Sequence, residues 1–229
     1  MSKHTLLHDI TLLSATFNRH DATLGMLKSF YSASRYFMPA VIIDNSTTTP
    51  LPFDGSPEIR VIDNRNFRHT KNYGQPSKNH CSSIQYALSL IHTRYVMLCD
   101  NDILFTPNIS TLLELYNKYD AIGEITWDVV PPDRLLPYLC IFDLERMKHD
   151  HISYFHESRC INNTNGTPYM DTGASFYMDI VKANWNIYKC SIADFCSHIK
   201  GYTLHNASNY LNVYRNHIMR YSLSHNFEG

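Results

Sequence analysis

Short apolar runs alternate with polar segments through the first 126 residues of the chain. Five of these runs have the length and the flanking polar or turn-forming residues of β-strands. They are DITLLSAT, AVIID, IRVID, RYVMLCD and DAIGEI. The polar, turn-rich stretch STTTPLPFDGSPE separates the second run from the third and predicts a loop.

Three segments between these runs place apolar residues three or four positions apart, which predicts helices. HDATLGMLKSFYSAS has Asp21 as its expected N-cap, and SKNHCSSIQYALSLI has Ser77. TPNISTLLELYNKY begins with Thr-Pro, a favourable helix start. Alternating strands and helices are typical of an α/β domain with a mostly parallel central sheet flanked by helices.

The pattern weakens after residue 126. A strand is predicted at Tyr138–Phe142, and SFYMDIVKANW predicts a helix. SNYLNVYRNHIMRYSL predicts a C-terminal helix with Tyr210, Val213, Tyr214 and His217 or Ile218 along one side. At 229 residues the chain fits a single domain, in which this later part is the smaller portion.

Polar side chains stand where the predicted strands end. Thr16 and Asn18 follow the first strand, Asp44 ends the second, and Asp100 and Asp102 follow the fourth. Ligands of open α/β sheets bind outside the carboxyl ends of the strands. We therefore expect these side chains to converge on one crevice.

Asp100 and Asp102 are close enough to repel each other in such a crevice. No lysine or arginine lies in LCDNDIL, so a hard divalent cation, Mg²⁺ or Mn²⁺, is the economical source of positive charge. The alternative is a turn in which Asp and Asn cap the next segment.

Composition narrows the functional class. Hydrophobic residues make up 44% and charged residues 18%, and the net charge of −1 argues against a global electrostatic grip on nucleic acid. No apolar run has the length of a membrane span, and the first residues make a poor signal peptide. The six cysteines form no CxxC pair, which favours reduced thiols in a cytoplasmic protein.

SATFNRHD, VIIDNSTTT and YVMLCDNDILF resemble, in this order and spacing, the motifs of family 2 glycosyltransferases of the GT-A fold. The resemblance covers roughly residues 10–125. PYMDTGASFYMDI is similar to the acceptor-side segment of that family. The resemblance implies that residues 1–125 bind a nucleotide-sugar and that residues 126–229 bind the acceptor, within one continuous domain.

The resemblance also implies roles for individual residues. Asp102 would ligate the metal, Asp100 would hold the metal or the ribose, and Asp44 would contact the nucleobase or ribose. A histidine late in the chain would complete the metal shell, and His205 is the candidate, with a plain loop histidine as the alternative. The remaining expected donor contacts are Thr16, Asn18, Arg19, His80 and Asn101; for His80 a surface role is equally open.

The implied activity is metal-dependent transfer of one hexosyl or deoxyhexosyl unit from a nucleoside-diphosphate sugar, with UDP favoured, to a hydroxyl of a glycan or other acceptor. Inversion is the usual outcome in this family and requires a base, for which Asp171 is the first choice. Asp143 and Asp128 are the runners-up, with Tyr169 or Trp127 as sugar-stacking rings and Gly173 allowing close backbone approach. Membership of a larger glycan-synthesis polypeptide or complex fits the same resemblance.

Other readings of the chain remain open. A sugar-phosphate nucleotidyltransferase would need a glycine-rich loop after the first strand, and SATFNRHD has no glycine. A haloacid-dehalogenase-type phosphatase carries Asp-x-Asp on its first strand, not its fourth. An inactive carbohydrate-binding domain is the third alternative. The histidines of HDHISYFH, at 149, 151 and 156, fit a solvated loop better than a metal site.

Overall fold

The computed structural model describes residues 5–53, 57–126, 133–159, 173–199 and 210–221. The strands are β1 (Thr5–Leu6), β2 (Ile10–Thr16), β3 (Tyr36–Phe37), β4 (Ala40–Asp44), β5 (Ile59–Asp63), β6 (Tyr95–Cys99), β7 (Ile103–Phe105), β8 (Ala121–Thr126), β9 (Arg134–Asp143), β10 (Ile187–Lys189) and β11 (Cys196–His198). The helices are α1 (His20–Ala33), α2 (Pro76–Leu88), α3 (Ile109–Leu113), α4 (Leu144–His149), α5 (Ala174–Lys182) and α6 (Tyr210–Arg220), with 3₁₀ turns at Arg65–Phe67 and Ile192–Asp194.

Seven strands form the central sheet in the order β10-β8-β9-β6-β2-β4-β5. Every neighbouring pair is parallel except those that involve β9, which runs antiparallel to both β6 and β8. The prediction of a mostly parallel sheet flanked by helices is confirmed. Because β9 lies between β8 and β6, residues from both parts of the chain build a single domain.

The sheet is covered on both faces, and its central strands show why. Every residue of β2, β4 and β6 is buried. Successive residues point to opposite faces, so Leu12 joins a core cluster with Phe30 of α1, while Leu13 joins a second cluster with Ile84 of α2. Strands that are buried on both faces have nearly continuous apolar sequences, and the sequences of these three strands show this pattern.

Two expected helix caps are wrong. Arg19 occupies the N-cap of α1, and Asp21 lies in the first turn, where its negative charge is favourable near the helix N-terminus. Ser77 lies inside α2, which begins at Pro76 after Gln75. Proline presets the backbone angle that the first helical position needs, and it sets the start of this helix.

The third predicted helix is much shorter than its sequence pattern. α3 ends at Leu113, and the amides of Leu115 and Lys118 then bond carbonyls three residues back. Tyr116 turns away to donate a hydrogen bond to Asp9 and to pack edge-on against Tyr95. These tertiary contacts override the local helical pattern.

Two small sheets complete the fold: β1 pairs with β3, and β7 pairs antiparallel with β11. The second of these brings a late segment of the chain to the end of β6. In the described ranges, no helix combines the length and the apolar character that crossing a bilayer requires.

Candidate active site

A pocket of about 500 Å³ opens where β2, β4 and β6 end. This volume lies within the usual range of small-molecule sites. The pocket wall includes Thr16, Phe17, Asn45, Phe67, His80 and Asp100. The strand ends therefore converge on one crevice, as the positions of the polar residues predicted.

Two carboxylates and an imidazole meet at the edge of this pocket. Asp100 follows β6, and Asp102 directly precedes β7. The ladder between β7 and β11 sets His198 opposite Ile103, and the Ile199 amide donates to the Asp102 carbonyl at 2.8 Å. One ligand atom from each of Asp100, Asp102 and His198 lies within 4.8 Å of the other two.

The surroundings of Asp102 fit a divalent cation. The residue is 3% exposed, and its enclosed Oδ1 accepts no hydrogen bond from the described part of the chain. His198 Nε2 lies 3.2 Å from that oxygen without making a hydrogen bond to it. A buried carboxylate oxygen without a donor is costly, and a hard cation held by carboxylate and imidazole removes the cost.

Neighbouring groups fix this set of ligands. The ring of Tyr138 stacks on His198 with centroids 4.1 Å apart, and its carbonyl accepts from the Asp100 amide at 3.1 Å. Asn101 lies between the two aspartates. Its Nδ2 donates to Oγ1 of Thr16, at the end of β2, and to Oγ1 of Thr23 in α1, each at 3.3 Å. Asn101 therefore fixes the turn and also lines the pocket.

Nearby cysteines do not extend the metal site. Desolvation raises the pKa of the Cys99 and Cys140 thiols, and it raises that of Cys196 to about 12. These side chains stay protonated at neutral pH, and a thiol must lose its proton to bind a metal. Cys99 and Cys140 are core residues, as predicted.

Asp44 is occupied by its own loop. It is 1% exposed, its Oδ1 accepts from the Ser46 amide at 3.0 Å, and its Oδ2 accepts from the Leu51 amide at 2.8 Å. The residue that reaches the pocket wall is the next one, Asn45. These hydrogen bonds show that Asp44 shapes its loop, and its contact with the nucleobase or ribose stays a prediction.

Asn18 and Arg19 stand at the start of α1. Asn18 adopts a left-handed conformation with φ of 56°, and its amide donates to Ser46 Oγ at 3.0 Å. Its Oδ1 accepts from the Thr47 amide at 2.9 Å, so it joins the loops that follow β2 and β4. Arg19 pairs with Asp21 at 3.4 Å. His80 of α2 lines the pocket, with Nε2 4.0 Å from Asp100 Oδ1.

Five other predicted positions lie outside the described residues: the base Asp171, its runner-up Asp128, the ligand His205, and the stacking candidates Tyr169 and Trp127. The other runner-up base, Asp143, is wrong. It binds Arg94 at 2.9 Å and caps α4. It lies five residues beyond Tyr138 on β9, roughly 16 Å from the site along the strand.

Two more expectations concern α5 and the histidine-rich loop. Gly173 has φ of +85°, and a Cβ there would lie 2.2 Å from the Leu135 carbonyl oxygen, so the expected close backbone approach is made against β9. His149 and His156 pair with Asp150 and Asp179. Among the described residues, neither joins a metal-ligating group.

Sequence reasoning missed His198 and Asn45. His198 ends a three-residue strand that begins at Cys196, and the sequence around it carries no metal-ligand motif. Asn45 stands beside the aspartate that drew attention, and only its hydrogen bonds distinguish the two.

No protein-family model matches the chain, and no curated protein matches it by sequence. Solved structures do. The mannosyltransferase PcManGT from Pyrobaculum calidifontis, in complex with GDP-Man and Mn²⁺, is 12% identical with a TM-score of 0.58 over 93% of this chain. S. aureus TarS in complex with UDP-GlcNAc is 14% identical with a TM-score of 0.56 over 94% of this chain.

These likenesses establish the fold, which is that of GT-A-type glycosyltransferases. The chain spans 62% of the mannosyltransferase structure, 68% of that TarS structure and 40% of a longer TarS structure.

Proposed function

We propose that the chain is a metal-dependent glycosyltransferase of the family 2 type, which moves one hexosyl or deoxyhexosyl unit from a nucleoside-diphosphate sugar to a hydroxyl of a glycan or other acceptor. UDP is the favoured nucleotide. The observation that carries the proposal is the group of Asp100, Asp102 and His198, whose member Asp100 lines a pocket of about 500 Å³. The fold supports it, because its structural neighbours are transferases solved with nucleotide-sugars.

Asp102 and His198 would hold Mn²⁺ or Mg²⁺, with Asp100 as the third ligand or as a ribose contact. When bound, the cation supplies positive charge that stabilises the departing diphosphate. Asp102 is the anchor of this site because its Oδ1 is enclosed and has no donor among the described residues. If His205 also contributes, it joins His198 rather than replacing it.

The pocket itself would bind the nucleoside. Phe17 and Phe67 line it with rings inclined by 22°, which gives apolar faces for a base. Thr16, His80 and Asn101 add polar groups to the wall. Asn18 and Arg19 would act from the loops at its rim.

Acceptor chemistry belongs to the second part of the chain in this proposal. Residues 1–125 bind the donor, and residues 126–229 bind the acceptor and provide the base Asp171. In an inverting transferase the acceptor hydroxyl attacks from the side opposite the leaving diphosphate and must lose its proton. Asp171 would accept that proton, so it would have to lie on the same side. Asp171→Asn should keep nucleotide-sugar binding and abolish transfer; transfer at a near wild-type rate would place the base elsewhere.

The donor site is tested by thermal stabilisation with UDP, GDP, dTDP and CMP, with and without Mn²⁺. Metal-dependent stabilisation by a nucleoside diphosphate is the expected result. Asp102→Asn and His198→Gln should abolish the Mn²⁺-dependent part, since each removes a ligand. His92→Gln, which changes an exposed histidine elsewhere, is the matched control and should behave like the wild type. A preference for triphosphates would favour a nucleotidyltransferase instead.

A further inference from the structure

A buried chain of hydrogen bonds runs behind the pocket from the loop after β5 to Asn45. It begins at the amide of His69, which donates to Asn64 Oδ1 at 2.9 Å. A backbone N–H can only donate, so the atom of Asn64 that faces it must be the carbonyl oxygen. The amide orientation of Asn64, a residue with 0% exposure, is therefore fixed.

The next bond fixes Asn45 in turn. Asn64 Nδ2 can only donate, and it lies 2.7 Å from Asn45 Oδ1. Ser83 Oγ donates to the same oxygen at 3.0 Å. A flipped Asn45 would set two NH₂ groups against each other in a buried site, where an unpaired polar group carries its full desolvation cost.

With Oδ1 turned inward, Nδ2 is the free end of the Asn45 side chain. This group makes no hydrogen bond within the part of the chain that the structure describes. It is not sealed from solvent either, although Asn45 as a whole is only 4% exposed. It therefore opens to the pocket, whose wall includes Asn45, and presents a donor of fixed polarity.

The same chain of contacts holds an aromatic face beside this donor. The main-chain carbonyl of Asn64 accepts from the Phe67 amide at 2.8 Å, and Phe67 has a left-handed φ of 58°. A bulky residue adopts this conformation only where its surroundings impose it. The ring is thereby directed into the pocket beside the Asn45 amide.

We propose that Asn45 Nδ2 donates to O4 of uracil or O6 of guanine in the donor nucleotide, and that Asn64 and the His69 amide, by fixing the Asn45 side chain, favour these bases over cytosine and adenine. This inference rests on the proposed function. Uracil and guanine present a carbonyl oxygen at the position where cytosine and adenine carry an NH₂ group. An NH₂ group facing Nδ2 leaves two donors unpaired, which weakens binding by about tenfold or more.

The first test measures the affinities of UDP, CDP, GDP and ADP in the presence of Mn²⁺ by calorimetry. For the wild type we expect UDP to bind at least about tenfold more tightly than CDP, and GDP than ADP. Asn45→Asp keeps both inward hydrogen bonds, because a carboxylate oxygen accepts equally well, but it turns an acceptor toward the base. CDP should then bind more tightly than UDP, so the ratio of UDP to CDP affinity falls by more than its wild-type value of about ten.

Asn72→Asp is the matched control for charge. Asn72 also lines the pocket, but it bonds Gly74 and Asn79 and lies outside the chain that starts at His69. It should weaken all four nucleotides by repelling their phosphates and leave the ratio of UDP to CDP affinity unchanged.

Asn64→Asp tests whether Asn64 sets the orientation of the Asn45 amide, and it does so without changing any residue that lines the pocket. Its second oxygen would accept from Asn45 Nδ2, which forces the Asn45 amide to turn over and present Oδ1 to the pocket. The affinity ratio should shift in the same direction as in Asn45→Asp. Equal affinities for keto and amino bases in the wild type, or an unchanged ratio in Asn45→Asp, would overturn the inference and leave the proposed function standing. Failure of all four nucleotides to bind with Mn²⁺ would overturn both.

Discussion

At the scale of single residues, the stacking of Tyr138 on His198 has a measurable consequence. Ring stacking restricts the orientation of the imidazole. Hydrogen-bonded groups that orient a metal ligand typically change metal affinity by about 10- to 100-fold when they are mutated, and we expect the lower end of this range for a stacked ring. Tyr138→Leu should weaken Mn²⁺ binding by about tenfold. Tyr138→Phe keeps the ring and should bind Mn²⁺ almost as the wild type does. Calorimetric titration of Mn²⁺ in the presence of UDP measures both; equal loss in the two variants would assign the effect to the hydroxyl instead.

Asp102→Asn should change stability as well as metal binding. Without a cation, the enclosed Oδ1 accepts no hydrogen bond from the described residues, and the imidazole of His198, 3.2 Å away, offsets its charge only when protonated. A neutral amide lowers that cost, so the metal-free variant should be as stable as the wild type or more stable. Urea unfolding of the wild type and the variant, with a chelator present, measures this. A decrease of more than about 1 kcal/mol in the free energy of unfolding would show that the Asp102 carboxylate stabilises the fold without a cation.

The predicted and the missed site residues differ in how far their partners lie along the chain. Asp100 and Asp102 were identified because both follow one apolar run, and the effect of two close charges is local. His198 is brought to them by the register of β11 against β7, and strand register between distant segments leaves no mark on sequence spacing. Asp44 and Asn45 are adjacent, so only the loop amides that bind Asp44 decide which one faces the pocket.

At the scale of secondary-structure elements, α1 and α6 meet at Gly25. A Cβ built on this glycine would lie 1.8 Å from the hydroxyl oxygen of Tyr210. Inside a helix, Gly→Ala normally stabilises by about 1 kcal/mol, but here the clash should reverse the sign and destabilise by about 1–3 kcal/mol. Chemical denaturation of Gly25→Ala, Tyr210→Ala and the double variant measures the coupling. If Gly25→Ala still destabilises when Tyr210 is alanine, the close approach is not the cause.

Element types were more predictable than element ends. β2, β4 and β6 are buried on every residue, and burial on both faces produces the continuous apolar runs that identified them. The end of α3 depends on Tyr116, whose partners Asp9 and Tyr95 are distant in sequence. Local propensity carries no information about such contacts.

At the scale of the whole molecule, β9 was the hardest feature to predict, although part of it was recognised as a strand. Its pairing in the centre of the sheet, antiparallel to β6 and β8, cannot be derived from alternating strands and helices, which favour parallel neighbours. This strand also carries Tyr138 to His198 of the candidate metal site. Residues after 126 thus contribute strands to the same sheet whose strand ends form the pocket.

The position of β9 predicts that residues 1–125 will not fold by themselves, even if they contain most donor contacts. Without β9 and β10, β8 loses both of its neighbours, and β6 exposes an edge of backbone groups that β9 pairs in the full chain. We expect the fragment to aggregate or to lack a cooperative urea transition by circular dichroism, whereas the full chain under the same conditions shows one. Co-expression with residues 126–229 restores the missing strands and should recover soluble, cooperatively unfolding protein. A fragment 1–125 that unfolds cooperatively and binds UDP with Mn²⁺ would instead mean that the donor-binding part is an independent domain.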